Sequence, residues 1–175
     1  LPPVNTPFLL NFLEKLLNTP SPTGYADQAI ALCEQEFSAF PELRLNRTRK
    51  GALLIHWLGE LNNTPRALTA HVDTLGAMVK EIKSNGRLQL TKIGGFAWNV
   101  VEGEGCTVFT HKGSRVRGSF LVNKASTHIY GKDVAKTERE DENMEVRLDA
   151  RSNNKDDTEA LGIRVGDFIA FDPRV

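Results

Sequence analysis

The chain has 175 residues and a mass of 19.4 kDa, room for one ordinary domain or two small ones. Hydrophobic residues make up 40% and charged residues 25%, which excludes a disordered chain and supplies material for a core. The 22 basic and 22 acidic residues cancel, so no global field points to nucleic acid or an anionic membrane as a partner.

The opening run FLLNFLEKLL is apolar but is interrupted by Asn11, Glu14 and Lys15. It has no basic leader and no small-residue cleavage site, so neither a signal peptide nor a membrane span is expected. Thr6 is predicted to cap a helix with Pro7 at its first position. Phe8, Leu9, Phe12, Leu13, Leu16 and Leu17 then form one apolar stripe at helical spacing. Thr19-Pro20-Ser21-Pro22-Thr23-Gly24 breaks this helix. A second helix carries Ala26, Ala29, Ile30, Cys33, Phe37 and Phe40 on one face and ends at Pro41. Strand-like runs follow over Arg44–Arg49, Ala52–Leu58 and Arg66–Ala70, the last delivering His71. Helices followed by strands with short connections read as the opening of an α/β sheet domain.

After Gly76 the periodicity changes. Met78–Lys83 and Arg87–Ile93 flank Asn85-Gly86, a strong hairpin signal. Further short strands are predicted over Thr107–Thr110, Arg115–Val122 and Met144–Ala150. In the last of these, Met144, Val146, Leu148 and Ala150 alternate with Glu145, Arg147 and Asp149. Glycines punctuate the region as a small curved barrel requires. Lys132–Asn143 reads as a solvated loop or short helix, Asp156–Leu161 as a helix, and Gly166–Phe171 as one more strand. The predicted organisation is therefore an α/β part over 1–75, an inserted all-β barrel over 76–165, and a return to the α/β part over 166–175.

Two cysteines, Cys33 and Cys106, are too few for a disulfide framework or a metal knuckle. They read as buried thiols in a reducing compartment, which together with the missing leader places the protein in the cytoplasm. Asn46-Arg47-Thr48 and Asn62-Asn63-Thr64 match the glycosylation pattern by chance in that setting. Gly94-Gly95 and Gly103-x-Gly105 lack the strand–helix setting and the lysine of a phosphate loop.

The stretch LTAHVDTLG, residues 68–76, carries the candidate chemistry. In an extended segment residues i and i+2 point to one side, so His71 and Asp73 share a face. That pairing suits a metal-ligating imidazole with a carboxylate behind it, and equally a base with its orienting acid. A turn histidine beside a capping aspartate has the same spacing. Elsewhere, His56 reads as a packed or edge-strand residue and His111 as a surface turn residue. His128 has no assigned role. Asp172, before Pro173, reads as a turn residue, or else as support for a ligand beyond it.

The run ALTAHVDTLGAMVKEIKSNGRLQLTKIGGFAWNVVEGE resembles the glutamyl, deblocking and tetrahedral aminopeptidases, a family of zinc- or cobalt-dependent exopeptidases. The resemblance extends to LLNTPSPTGYADQAI, KGALLIHWLG and the closing LGIRVGDFIAFDPRV. It implies a zinc-peptidase-like α/β domain with an inserted PDZ-like β barrel that shapes the cleft and drives assembly into dimers and dodecamers. It also implies that His71 ligates one of two divalent ions, that Asp73 is the catalytic-site carboxylate supporting it, and that peptides are the substrates. The family's bridging aspartate, its glutamate pair and its last histidine have no counterpart here, so the chain reads as an N-terminal part. By itself it is expected to hold no metal at His71 and to be inactive, and to self-associate through uncovered apolar faces. The alternative is a non-catalytic oligomerisation or peptide-docking module.

Overall fold

A computed structural model describes residues 4–61 and 63–174. They fall into two units, one ending at Thr74 and the other running Leu75–Arg174. Asn62, the first residue of one glycosylation-like triplet, lies outside the described residues.

The first unit begins with α1 (Thr6–Leu17). Its cap is Asn5 rather than Thr6: the Asn5 side-chain oxygen accepts from the Phe8 backbone N–H at 3.2 Å, which places Pro7 second in the helix. The predicted apolar stripe is there, but only Phe12 and Leu16 are half-buried; Phe8, Leu9, Leu13 and Leu17 are exposed. Helix α2 (Asp27–Phe37) stops three residues short of Phe40, where Ser38 Oγ donates back to the Gln35 carbonyl at 2.7 Å. Ala29 and Cys33, one turn apart, are its buried face. Strands β1 (Leu43–Arg47) and β2 (Leu53–Trp57) pair antiparallel as an isolated hairpin. Residues 66–70, predicted as a strand, have no ladder partner among the described residues. A strand exists only where a neighbour takes up its N–H and C=O groups, and here Leu68 is left exposed.

The second unit is a closed antiparallel barrel in the order β3-β4-β7-β6-β5-β8. Its strands are β3 (Gly76–Ile82), β4 (Leu88–Ile93), β5 (Gly105–Phe109), β6 (Arg115–Val122), β7 (Met144–Leu148) and β8 (Phe168–Phe171). Three short helices, α3 (Thr127–Tyr130), α4 (Asp133–Lys136) and α5 (Lys155–Ala160), fill the connections. The β3–β4 turn uses Gly86 at φ +80 while Asn85 stays at negative φ. The hairpin is therefore the three-residue form with a glycine bulge, over Ser84-Asn85-Gly86. Gly86 also admits no side chain, since a Cβ would sit 2.6 Å from Ser152 Oγ and 2.9 Å from the Asn154 carbonyl oxygen.

The predicted return to the α/β part at residue 166 is corrected by the topology. Strand β8 closes the barrel, with Ile169 facing Ala77 on β3 and Val108 on β5. An apolar strand of this length has the same local signature in either unit, and only its pairing assigns it. The interior holds Val79, Leu88, Leu90, Val108, Phe120, Met144, Val146 and Ile169, all within 1% of complete burial. Trp98 and Phe120 lie 6.1 Å apart, and Phe171 meets Phe120 edge-on at 5.0 Å.

Glu145 departs from its predicted outward, solvated place. It is 1% exposed, covered by Lys83, whose Nζ donates at 2.9 Å, and by Arg87. Both cysteines are free and buried, as expected. Burial, reinforced by the charge of Asp172, pushes the Cys106 thiol up to about 12 from an ordinary 9.0. A folded-state pKa raised in this way stabilises the barrel fully below the unfolded value, and the contribution is lost as pH rises through the folded one. Urea midpoints measured from pH 8 upward are therefore expected to fall more gently for Cys106→Ala than for the natural chain. Equal slopes would contradict the assignment. No helix among the described residues is long and apolar enough to cross a membrane.

Candidate metal centre

The segment around His71 is held by the proline-rich loop between α1 and α2. Pro22 and Thr74 form a parallel bridge. The Thr74 N–H donates to the Ser21 carbonyl at 2.8 Å, and the Thr23 N–H to the Thr74 carbonyl at 3.3 Å. Ser21, 1% exposed, adds its hydroxyl to the Val72 carbonyl at 2.8 Å. A loop read from sequence only as a helix breaker is thus the clamp that shapes the His71–Thr74 backbone.

His71 and Asp73 face the same way, as the i, i+2 spacing required. His71 Nδ1 lies 3.1 Å from Asp73 Oδ1 and 3.2 Å from the Asp73 backbone oxygen. Both neighbours are acceptors only, so Nδ1 carries the proton and donates. The Nε2 lone pair is then available on a side chain that is 82% exposed. Asp73 Oδ2 accepts from the Thr23 hydroxyl at 2.5 Å. This hydrogen bond is the foremost of several contacts that hold the Asp73 carboxyl below the usual carboxylate range, with the backbone and His71 adding to it.

One outward imidazole nitrogen with a fixed tautomer fits a single coordination position at a divalent ion. It does not fill a site, since zinc centres draw three or four ligands from protein. Among the described residues no group of three or more His, Cys, Asp or Glu side chains comes together. His71 and Asp73 are brought together and the remaining candidates are not. His56 lies exposed on β2 opposite Arg44. His111 sits in the β5–β6 turn, its backbone N–H donating to Asp167 at 3.0 Å. His128 is exposed on α3. Asp172 is held by both terminal nitrogens of Arg117 and by its own N–H to the Gly105 carbonyl at 3.0 Å, as part of the barrel. The residue that sequence reasoning passed over is Thr23, visible there only as part of a turn.

The profile of the M42 glutamyl aminopeptidases matches residues 51–175, which covers His71, Asp73 and the whole barrel. The chain belongs to the M42 glutamyl aminopeptidase family. YhfE of Bacillus subtilis (strain 168) is 46% identical to this M42 chain over 166 residues, 95% of this chain and 47% of YhfE. A TET aminopeptidase of a marine sediment archaeon of the Thaumarchaeota superposes with a TM-score of 0.81 at 24% identity, over 97% of this chain and 45% of its own. The TET1 peptidase of Pyrococcus horikoshii, which can assemble into a tetrahedron or an octahedral shell, superposes at 0.67 with 21% identity, over 93% and 46%. At those identities the two structures show the shared fold. The chain thus spans about half the length of the relatives it matches.

Proposed function

We propose that this M42 chain contributes one metal ligand, His71, to a metal-dependent aminopeptidase that removes N-terminal residues from peptides, the other ligands coming from residues outside it. The observation that carries the reading is the orientation of His71. Its Nδ1 proton is committed to two acceptors of Asp73, which leaves Nε2 as the lone-pair nitrogen of a side chain that is 82% exposed. Bound zinc or cobalt ions would supply Lewis acidity and a water activated at neutral pH. His71 would hold one ion through Nε2. Asp73, ionised across the neutral range, keeps the proton on Nδ1 and orients the ring. The barrel, in the place of the family's PDZ-like insertion, is assigned to assembly and to shaping the cleft. That assignment is motivated by the shells formed by the Pyrococcus horikoshii peptidase.

The test uses the product of the complete reading frame that contains this chain. Chelation should stop release of the N-terminal residue from a chromogenic amide, and zinc or cobalt should restore it. The 175-residue chain alone is expected to release none. Release that ignores the chelator, or none after metal is returned, would refute the proposal.

A further inference from the structure

We infer that Thr23 is a positioning residue: its hydroxyl fixes the Asp73 carboxylate, which in turn fixes the His71 tautomer that leaves Nε2 free for a metal. The metal clause rests on the function proposed above; the tautomer clause does not. The terminal torsion of an aspartate is broad and nearly two-fold, so by itself it does not choose which oxygen faces the imidazole or at what angle. Here the two oxygens have separate partners: Oδ2 takes the Thr23 hydroxyl at 2.5 Å and Oδ1 takes His71 Nδ1 at 3.1 Å. An ionised carboxylate only accepts, so the Thr23 hydroxyl is the donor. Its direction is constrained as well. Threonine is stiff at χ1, and the Thr23 backbone is tied to the same segment through Thr74, 3.3 Å away. Ser21, two residues earlier, holds the Val72 carbonyl at 2.8 Å. Residues from a distant loop thus grip both the backbone and the side chain of the 72–74 segment, with Thr23 reaching the carboxylate.

Long-range ¹⁵N–¹H spectra of the imidazole in the 175-residue chain read the tautomer without any metal. The natural chain should show His71 protonated at Nδ1. Thr23→Val keeps the shape and the β-branch but removes the donor, and should shift the ring towards the Nε2-protonated form. Thr23→Ser keeps a hydroxyl and should restore the natural spectrum, which a merely structural threonine would not require. Thr23→Ala serves in place of Thr23→Val if that variant loses its dispersed amide spectrum. In the complete gene product, Thr23→Val should weaken cobalt binding about 10–100-fold, the range typical of groups behind a ligand, and Thr23→Ser should recover it. A His71 ring identical to the natural one in whichever of Thr23→Val and Thr23→Ala stays folded overturns the role of Thr23. A ring that responds as expected, in a gene product that binds no cobalt at all, upholds the tautomer control and counts against the metallopeptidase reading.

Discussion

Replacing His71 by alanine in the complete gene product is expected to lower peptidase activity by more than ~100-fold, beyond the range seen when a group behind a metal ligand is lost. The reason is the ligand count. A catalytic zinc holds about three protein ligands and one open position, so deleting one ligand empties a third of the protein's share and leaves the ion mobile. In this chain the imidazole is exposed, with 82% of its side chain open. With metal removed from both, the variant should therefore unfold at the same urea concentration as the natural protein. Asp73→Asn should be milder, about 10–100-fold. An asparagine oxygen can still accept from Nδ1, but as a neutral and weaker acceptor. Turnover of a chromogenic amide alongside cobalt titration checks both. Full activity in His71→Ala would remove this residue from the metal centre.

Phe120→Ala is expected to destabilise the barrel by about 3–5 kcal/mol, the usual range for truncating a buried phenylalanine. Phe120 is completely buried on β6, between Trp98 at 6.1 Å and Phe171 at 5.0 Å. Its removal takes away apolar surface burial, an edge-on contact with Phe171 and a tilted one with Trp98, and leaves a cavity that a closed barrel cannot collapse to fill. Marginal domains have roughly 5–15 kcal/mol in total, so much of the barrel's stability is at stake. Trp98 is 1% exposed and Trp57 72% exposed, so the change in tryptophan emission on unfolding reports chiefly on the barrel. Val100→Ala, at a side chain 63% exposed, is the control and should stay within about 0.5 kcal/mol. A loss below 1 kcal/mol for Phe120→Ala would mean that the aromatic cluster is not the keystone of this core.

Local chemistry in the sequence was enough for the change from helix to barrel near Gly76 and for the inward set of Met144, Val146 and Leu148. It was also enough for the shared face of His71 and Asp73. Each depends on periods of 3.6 or 2 residues, or on a two-residue spacing, which backbone geometry imposes without regard to the rest of the chain. What the sequence could not decide are pairings across long separations. Gly166–Phe171 was legible as a strand, but its place between β3 and β5 exists only in the ladder. Arg66–Ala70 was legible as strand-like, yet among the described residues nothing pairs with it. Glu145 alternates as a surface residue should, and becomes buried only because Lys83 and Arg87 from the opposite hairpin fold over it. Thr23 lies 50 positions from Asp73. Nothing in a proline-rich turn announces that its hydroxyl meets that carboxylate; the tertiary fold alone decides it, because a hydrogen bond needs two atoms within about 3 Å, and sequence separation does not measure distance.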